Sequence, residues 1–83
     1  MTQAEIHALV AAERDRQRTI WGGQHDWGSG DCSSLAVALE VKAAVLAEEC
    51  GEVARAVLDR DPAALRTELT QVAAVAVAWL ESL

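Results

Sequence analysis

Several kinds of residue and pattern are scarce or missing from this 83-residue chain, and each absence narrows the reading. Two cysteines, Cys32 and Cys50, are too few for a disulfide framework, so a reduced, cytoplasmic chain is expected. No run of about 18 purely apolar residues occurs, so no membrane-spanning helix is expected. The most apolar stretch, Gln71 to Leu80, is too short to span. The N-terminus lacks the basic-then-apolar order of a signal peptide. Basic residues are outnumbered seven to thirteen by acidic ones, giving a formal net charge of -6. That balance argues against binding a nucleic-acid polymer, whose backbone needs a basic face. It fits a site for cations, or simply solubility. No strand pattern, internal repeat or low-complexity segment is present. No His or Cys stands at zinc-finger spacing, and the Glu-x-x-His element of di-iron bundles is missing.

What is present is hydrophobic and helical. A chain of this length forms one domain, residues 1–83, and buries only roughly 60% of its unfolded surface. Its hydrophobic fraction of 52%, much of it alanine and valine, is high for so small a core and points to association with further copies. Three helices are readable. The first runs from about Gln3 to Ile20, with Thr2 and Glu5 in a capping-box arrangement. Its stripe of Ile6, Leu9, Val10, Glu13, Gln17 and Ile20 is partly polar. A glycine-rich loop with two tryptophans follows. The second helix is expected from Ser33 or Ser34 to about Leu58, with a seam of Leu39, Ala43, Leu46, Cys50, Val53 and Val57. Gly51 interrupts it, which suggests a close approach to the backbone. Asp61 and Pro62 read as N-cap and first residue of the third helix. Its main stripe is Leu65, Leu69, Val72, Ala76, Trp79 or Leu80, and Leu83. No charge falls between Glu68 and Glu81, and a helix apolar on nearly every side needs partners on nearly every side. The expected fold is therefore all-α: a three-helix protomer with a long antiparallel hairpin, completing a four-helix bundle as a homodimer or homotetramer.

The hairpin carries carboxylates in register. Glu49 and Glu52 are one turn apart on the second helix, and Glu68 and Gln71 on the third. Folding about a turn centred near residue 60 sets Glu52 level with Glu68, and Glu49 level with Gln71. By helical repeat each pair lies about 60–100° from its apolar stripe. Three carboxylates that close would raise one another's pKa, and a hard divalent cation relieves the conflict. Oxygen-only ligands favour magnesium, manganese or calcium over zinc. A solvated acidic face is the plain alternative. Cys50 reads as a small core residue and Cys32 as an incidental loop thiol. Trp79 reads as core or interface, and His7 and His25 as surface or structural.

The run Glu48-Glu49-Cys-Gly-Glu52, with Glu68-Leu-Thr-Gln71 on the next helix, resembles the MazG-like all-α nucleoside triphosphate pyrophosphohydrolases. That family's pattern is Glu-Glu-x-x-Glu followed by Glu-x-x-Asp, so Gln71 stands where the family has Asp. Glu13-Arg-Asp-Arg-Gln17 and Trp21-Gly-Gly-Gln-His25 look like the short phage and mobile-element members. The resemblance implies magnesium (or manganese) on Glu49, Glu52, Glu68 and the weaker, neutral Gln71. Glu48 becomes a candidate base or a group just outside the metal's own ligands, and nucleoside monophosphate and pyrophosphate the products, in nucleotide house-cleaning. The chain stops at Leu83, where larger relatives carry basic phosphate-contacting residues. Arg14, Arg16 and Arg18 are available instead, with Arg14 and Arg18 on one helix face, or they pair with nearby carboxylates. Trp21 and Trp27, with Gln24 in the same loop, could hold the nucleobase; the tryptophans could equally cover the end of the bundle.

Overall fold

The capping signals at the N-terminus act as written. In the computed structural model, which describes residues 1–83, Thr2 Oγ1 accepts from the Glu5 amide at 3.1 Å. Glu5 in turn accepts from the Thr2 amide at 3.3 Å, closing the capping box that starts α1, Gln3–Trp21. A two-residue antiparallel ribbon follows, β1 (Gln24–His25) pairing with β2 (Gly28–Ser29). It is the one departure from the expected absence of strands. Gly28 makes it possible: its φ is +133°, and a Cβ there would lie 2.5 Å from the Ala36 carbonyl oxygen.

α2 spans Leu39–Leu58, five or six residues later than the expected start at Ser33 or Ser34. The intervening side chains hydrogen-bond to the loop instead of leaving the backbone to a helix. Asp31 Oδ1 accepts from the Ser33 amide at 2.9 Å, and Ser34 Oγ donates to the Ser29 carbonyl at 2.6 Å. Buried Val37 pins this loop to the body of the protein. The turn into α3, Pro62–Glu81, closes with the Asp61 amide donating to Ala56 O and the Arg60 amide to Val57 O, both at 3.1 Å. Asp61 caps α3 by accepting from the Ala64 amide at 3.0 Å, and Pro62 is its first residue, as expected.

α3 packs against both α2 and α1. The contact faces coincide only in part with the expected apolar stripes. On α3 the most buried residues are Ala74, Val75 and Ala78, with Glu68 and Gln71 half-buried on the same side; of the expected stripe Leu65, Val72 and Ala76 are half-buried and Leu69 is exposed. On α2 the inward line runs through Lys42, Val45, Leu46, Glu49, Val53 and Ala56, leaving Leu39, Ala43, Cys50 and Val57 exposed. Small residues let the helices approach, and the polar residues lie on the contact face itself rather than beside it. The cysteines are correspondingly exchanged: Cys32 is buried against Val75 and Ala78, whereas Cys50 is exposed. Gly51 meets no close neighbour within the protomer; a Cβ there would have nothing within 4 Å. Trp79 is half-buried.

Buried polar groups are satisfied. Lys42 donates to Ser82 Oγ at 2.8 Å, placing a cation at the C-terminal end of α3, where the helix dipole favours it. Arg14, also buried, bridges Asp31 at 2.8 Å and Glu81 at 2.9 Å and so ties α1 to the loop and to α3. Burial disfavours charge on Asp31, but hydrogen bonds from Ser33 and Arg14 outweigh it and hold its carboxyl below the usual range.

Candidate functional site

The short turn places α2 and α3 in antiparallel register, and the paired acidic residues meet. One carboxylate oxygen from each of Glu49, Glu52 and Glu68 lies within 4.8 Å of the others. Gln71 completes the group. With its amide nitrogen turned to the carboxylates it donates to Glu68 Oε2 at 2.9 Å and to Glu49 Oε2 at 3.1 Å. Turned the other way, the amide oxygen occupies the same place, so this one side chain can serve as donor or as oxygen ligand.

The electrostatics record the crowding. Burial pushes the Glu49 carboxyl up to about 7, aided by the charges of Glu52, Glu68, Glu48 and Glu13. Glu68 is raised as well, by burial and then by its hydrogen bond with Glu52 and that group's charge. Both respond to Glu13 from α1, so a third helix adds acidity to the cluster. The donor set is all oxygen and partly desolvated. Its spread is close to the roughly 4 Å that separates opposite ligands around a magnesium-sized ion. The chemistry of the donor set, three carboxylates and an amide, suits a hard divalent cation.

Beside the cluster a cleft of about 510 Å³ opens between α1, the loop and α2. Glu48 and Glu49 line one part of its wall, Trp21 and Trp27 another, and Val37, Val41, Ala44, Val45 and Val75 give it an apolar surface. Trp21 and Trp27 are 47% and 42% exposed, so their rings are open to a ligand rather than sealed in a core. Their centroids are 6.3 Å apart, and His25 stacks on Trp27 at 4.4 Å with only 8° between the planes. His25 Nε2 lies 2.9 Å from the Trp21 carbonyl oxygen, so this half-buried imidazole holds the aromatic group together.

The structure does not bring every expected residue to this place. Arg14 is 3% exposed and engaged by Asp31, Glu81 and Gln17; it lies behind Asp31 and Gln17, which line the cleft, and does not line it itself. Arg18 pairs with Asp15 at 3.2 Å and Glu81 at 3.1 Å. Their i,i+4 spacing put them on one face, but that face is turned to the end of α3. Gln24 is exposed on the ribbon, donating to the His25 carbonyl, and does not line the cleft. Arg16 and Glu13 do line it. The i,i+3 spacing of those two was readable in the sequence as an ion pair, but not the side of α1 on which it lies.

No helix is long and apolar enough to cross a membrane. Compared with protein-family models, curated proteins and solved structures, the chain matches none.

Proposed function

We propose that this chain is a magnesium-dependent nucleoside triphosphate pyrophosphohydrolase of the MazG-like type, acting in nucleotide house-cleaning. The observation that carries the reading is the convergence of Glu49, Glu52, Glu68 and Gln71 at the edge of a cleft that also presents two open tryptophans. An acidic cluster alone has many explanations. Adjacent to an aromatic cleft, it pairs a place for cation-bridged phosphates with a place for a base.

In this reading Glu49, Glu52, Glu68 and Gln71 hold the cation, with manganese an alternative to magnesium. When bound, magnesium supplies charge neutralisation on the phosphates and acidifies water. Trp21 and Trp27 stack on the base, each contact contributing roughly 1–3 kcal/mol by analogy with single-stranded nucleic acids. Glu48, exposed on the cleft wall beside Glu49, accepts the proton of the attacking water. The water oxygen bonds to the α-phosphorus, the bond to the bridging oxygen breaks, and pyrophosphate leaves with that electron pair. Nucleoside monophosphate is the other product.

Assembly into a homodimer or homotetramer belongs to the same proposal. The solvent-accessible surface is 5449 Å², against about 4800 Å² for a monomeric protein of this mass. Only nine residues are buried, and the outward stripe of α2 remains uncovered.

The test is pyrophosphate release across a panel of ribo- and deoxynucleoside triphosphates at millimolar magnesium. Turnover of at least one nucleotide is expected, with loss of at least about 100-fold in Glu49→Ala, the scale on which removal of charge-stabilising groups acts. No turnover across the panel removes the enzymatic reading. Gln71, which adds no charge to the site, favours a second reading: a module that binds metal and nucleotide without hydrolysis. Calorimetric binding of a nucleotide with no product identifies that case.

A further inference from the structure

Among the residues lining the cleft there are five carboxylates and one cation, Arg16. Its guanidinium is held by Glu13 through both carboxylate oxygens, Nε to Oε1 at 2.7 Å and Nη2 to Oε2 at 2.8 Å. The pair is asymmetric. The Glu13 side chain is 11% exposed and the Arg16 side chain 49%, so the carboxylate is the fixed partner and the arginine the reachable one. The other arginines of α1 are committed elsewhere, Arg14 to Asp31 and Glu81, and Arg18 to Asp15 and Glu81. Lys42 is buried against Ser82.

A guanidinium presents five donors in a planar fork that matches a phosphate as well as it matches a carboxylate. An anion entering the cleft therefore meets one group able to bind it directly, and meets it already in a bidentate pose. The acidic group next to Arg16 is the same one whose charge reaches Glu49 and Glu68. Moving the arginine from Glu13 to an incoming anion exchanges one bidentate partner for another without uncovering a buried cation.

We propose that Arg16 is the phosphate-binding arm of the cleft and that Glu13 restrains it until a polyphosphate chain takes its place. The inference rests on the polyphosphate reading given above. It replaces Arg14 and Arg18 as phosphate contacts, and it assigns Glu13 a positioning role. The shared chemistry is a chain of at least two phosphates, whether free pyrophosphate or the tail of a nucleotide.

The experiment is titration calorimetry at fixed magnesium with two probes: inorganic pyrophosphate, and a nucleoside triphosphate whose α,β bridge is methylene. Arg16→Ala is expected to weaken both at least 10-fold, and Arg16→Lys, which keeps charge but loses the fork, by an intermediate factor. Glu13→Gln is expected to tighten both about threefold or more. Arg18→Ala, the same loss of charge outside the cleft, is expected to stay within twofold of wild type. A nucleotide analogue that outbinds pyrophosphate, with the surplus lost in Trp21→Ala, supports the arm and assigns it to a nucleotide tail; equal binding supports it and assigns it to free polyphosphate. Arg16→Ala binding like wild type overturns the proposal, as does equal weakening by Arg18→Ala. Weaker binding by Glu13→Gln overturns the restraint. The two levels fail separately: nucleotide turnover that Arg16→Ala leaves unchanged removes the arm alone. Arg16-dependent pyrophosphate binding without turnover removes hydrolysis alone.

Discussion

Glu49 shows what the fold asks of a single residue. Its carboxyl, raised to about 7, binds a proton in the folded chain over a pH range where the unfolded chain, near 4.5, has already lost it. Unfolding therefore releases protons between those values, and stability falls as pH rises through the window. Without metal, the melting temperature should drop from pH 5 to pH 8, and Glu49→Gln should flatten that slope. A cation reverses the sign, because it binds the ionised form and competes with the proton. Magnesium should raise the melting temperature at pH 8 and do so far less at pH 5; equal effects at both values would remove Glu49 from the cation site. Gln71 tests the same balance from the other direction. Gln71→Asp removes two donated hydrogen bonds and adds a fourth carboxylate, so the metal-free protein should melt lower. The same added charge should enlarge the rise produced by magnesium. A variant that loses stability and gains no metal response would show Gln71 to be a structural amide only.

At the scale of the element, the hairpin was legible because its punctuation is chemical and local. Asp61 and Pro62 fix where α3 starts, and the one-turn spacing of Glu49, Glu52, Glu68 and Gln71 fixes which residues come level. The acidic group forms as that arithmetic requires. The rotation of each helix was only partly legible: Leu46 and Val53 on α2 and Leu65, Val72 and Ala76 on α3 are half-buried as expected, but the deepest contacts lie beside them. Large apolar residues mark a stripe, yet α3 turns Ala74 and Ala78 inward and leaves Leu69 and Leu80 out, because small residues permit closer backbones. The side of α1 that faces the cleft depends on that packing, which is why three arginines looked available, with Arg14 and Arg18 favoured by their shared face, whereas Arg16 is the one that lines the cleft. The turn holds one further feature that sequence alone hides. Arg60 adopts φ +52°, a conformation costing a residue with a Cβ about 1 kcal/mol or more. Arg60→Gly should stabilise the protein by roughly 0.5–1 kcal/mol, a melting-temperature gain of a few degrees. Arg60→Ala, which keeps the Cβ, should not. Equal effects would place the strain elsewhere.

At the scale of the whole molecule, the chain has too little inside. Leu39, Val57 and Leu58 on α2, Leu69 and Leu80 on α3, and Leu83 just beyond it are each more than half exposed. The radius of gyration is 13.1 Å, against about 11.8 Å for a compact domain of this length. Fully burying a leucine contributes about 1.5–3 kcal/mol, so covering several of them amounts to much of the net stability of a small domain, about 4–12 kcal/mol at this length. In the assembly proposed above, a second copy covering these stripes would add stability on that scale. Leu69 discriminates well, since at 51% exposure it has little to lose within the protomer. In an isolated chain Leu69→Lys is a surface change, expected within about 0.5 kcal/mol of wild type. In an assembly it buries one charge per copy at an apolar contact. Sedimentation equilibrium should give wild type a mass of two or four times 8.9 kDa. Leu69→Lys should shift that toward the protomer mass and lower the melting temperature in a concentration-dependent way. A wild type that sediments as a single chain at 100 μM by our choice of concentration, or a Leu69→Lys variant that assembles unchanged, would mean that this stripe is covered by nothing.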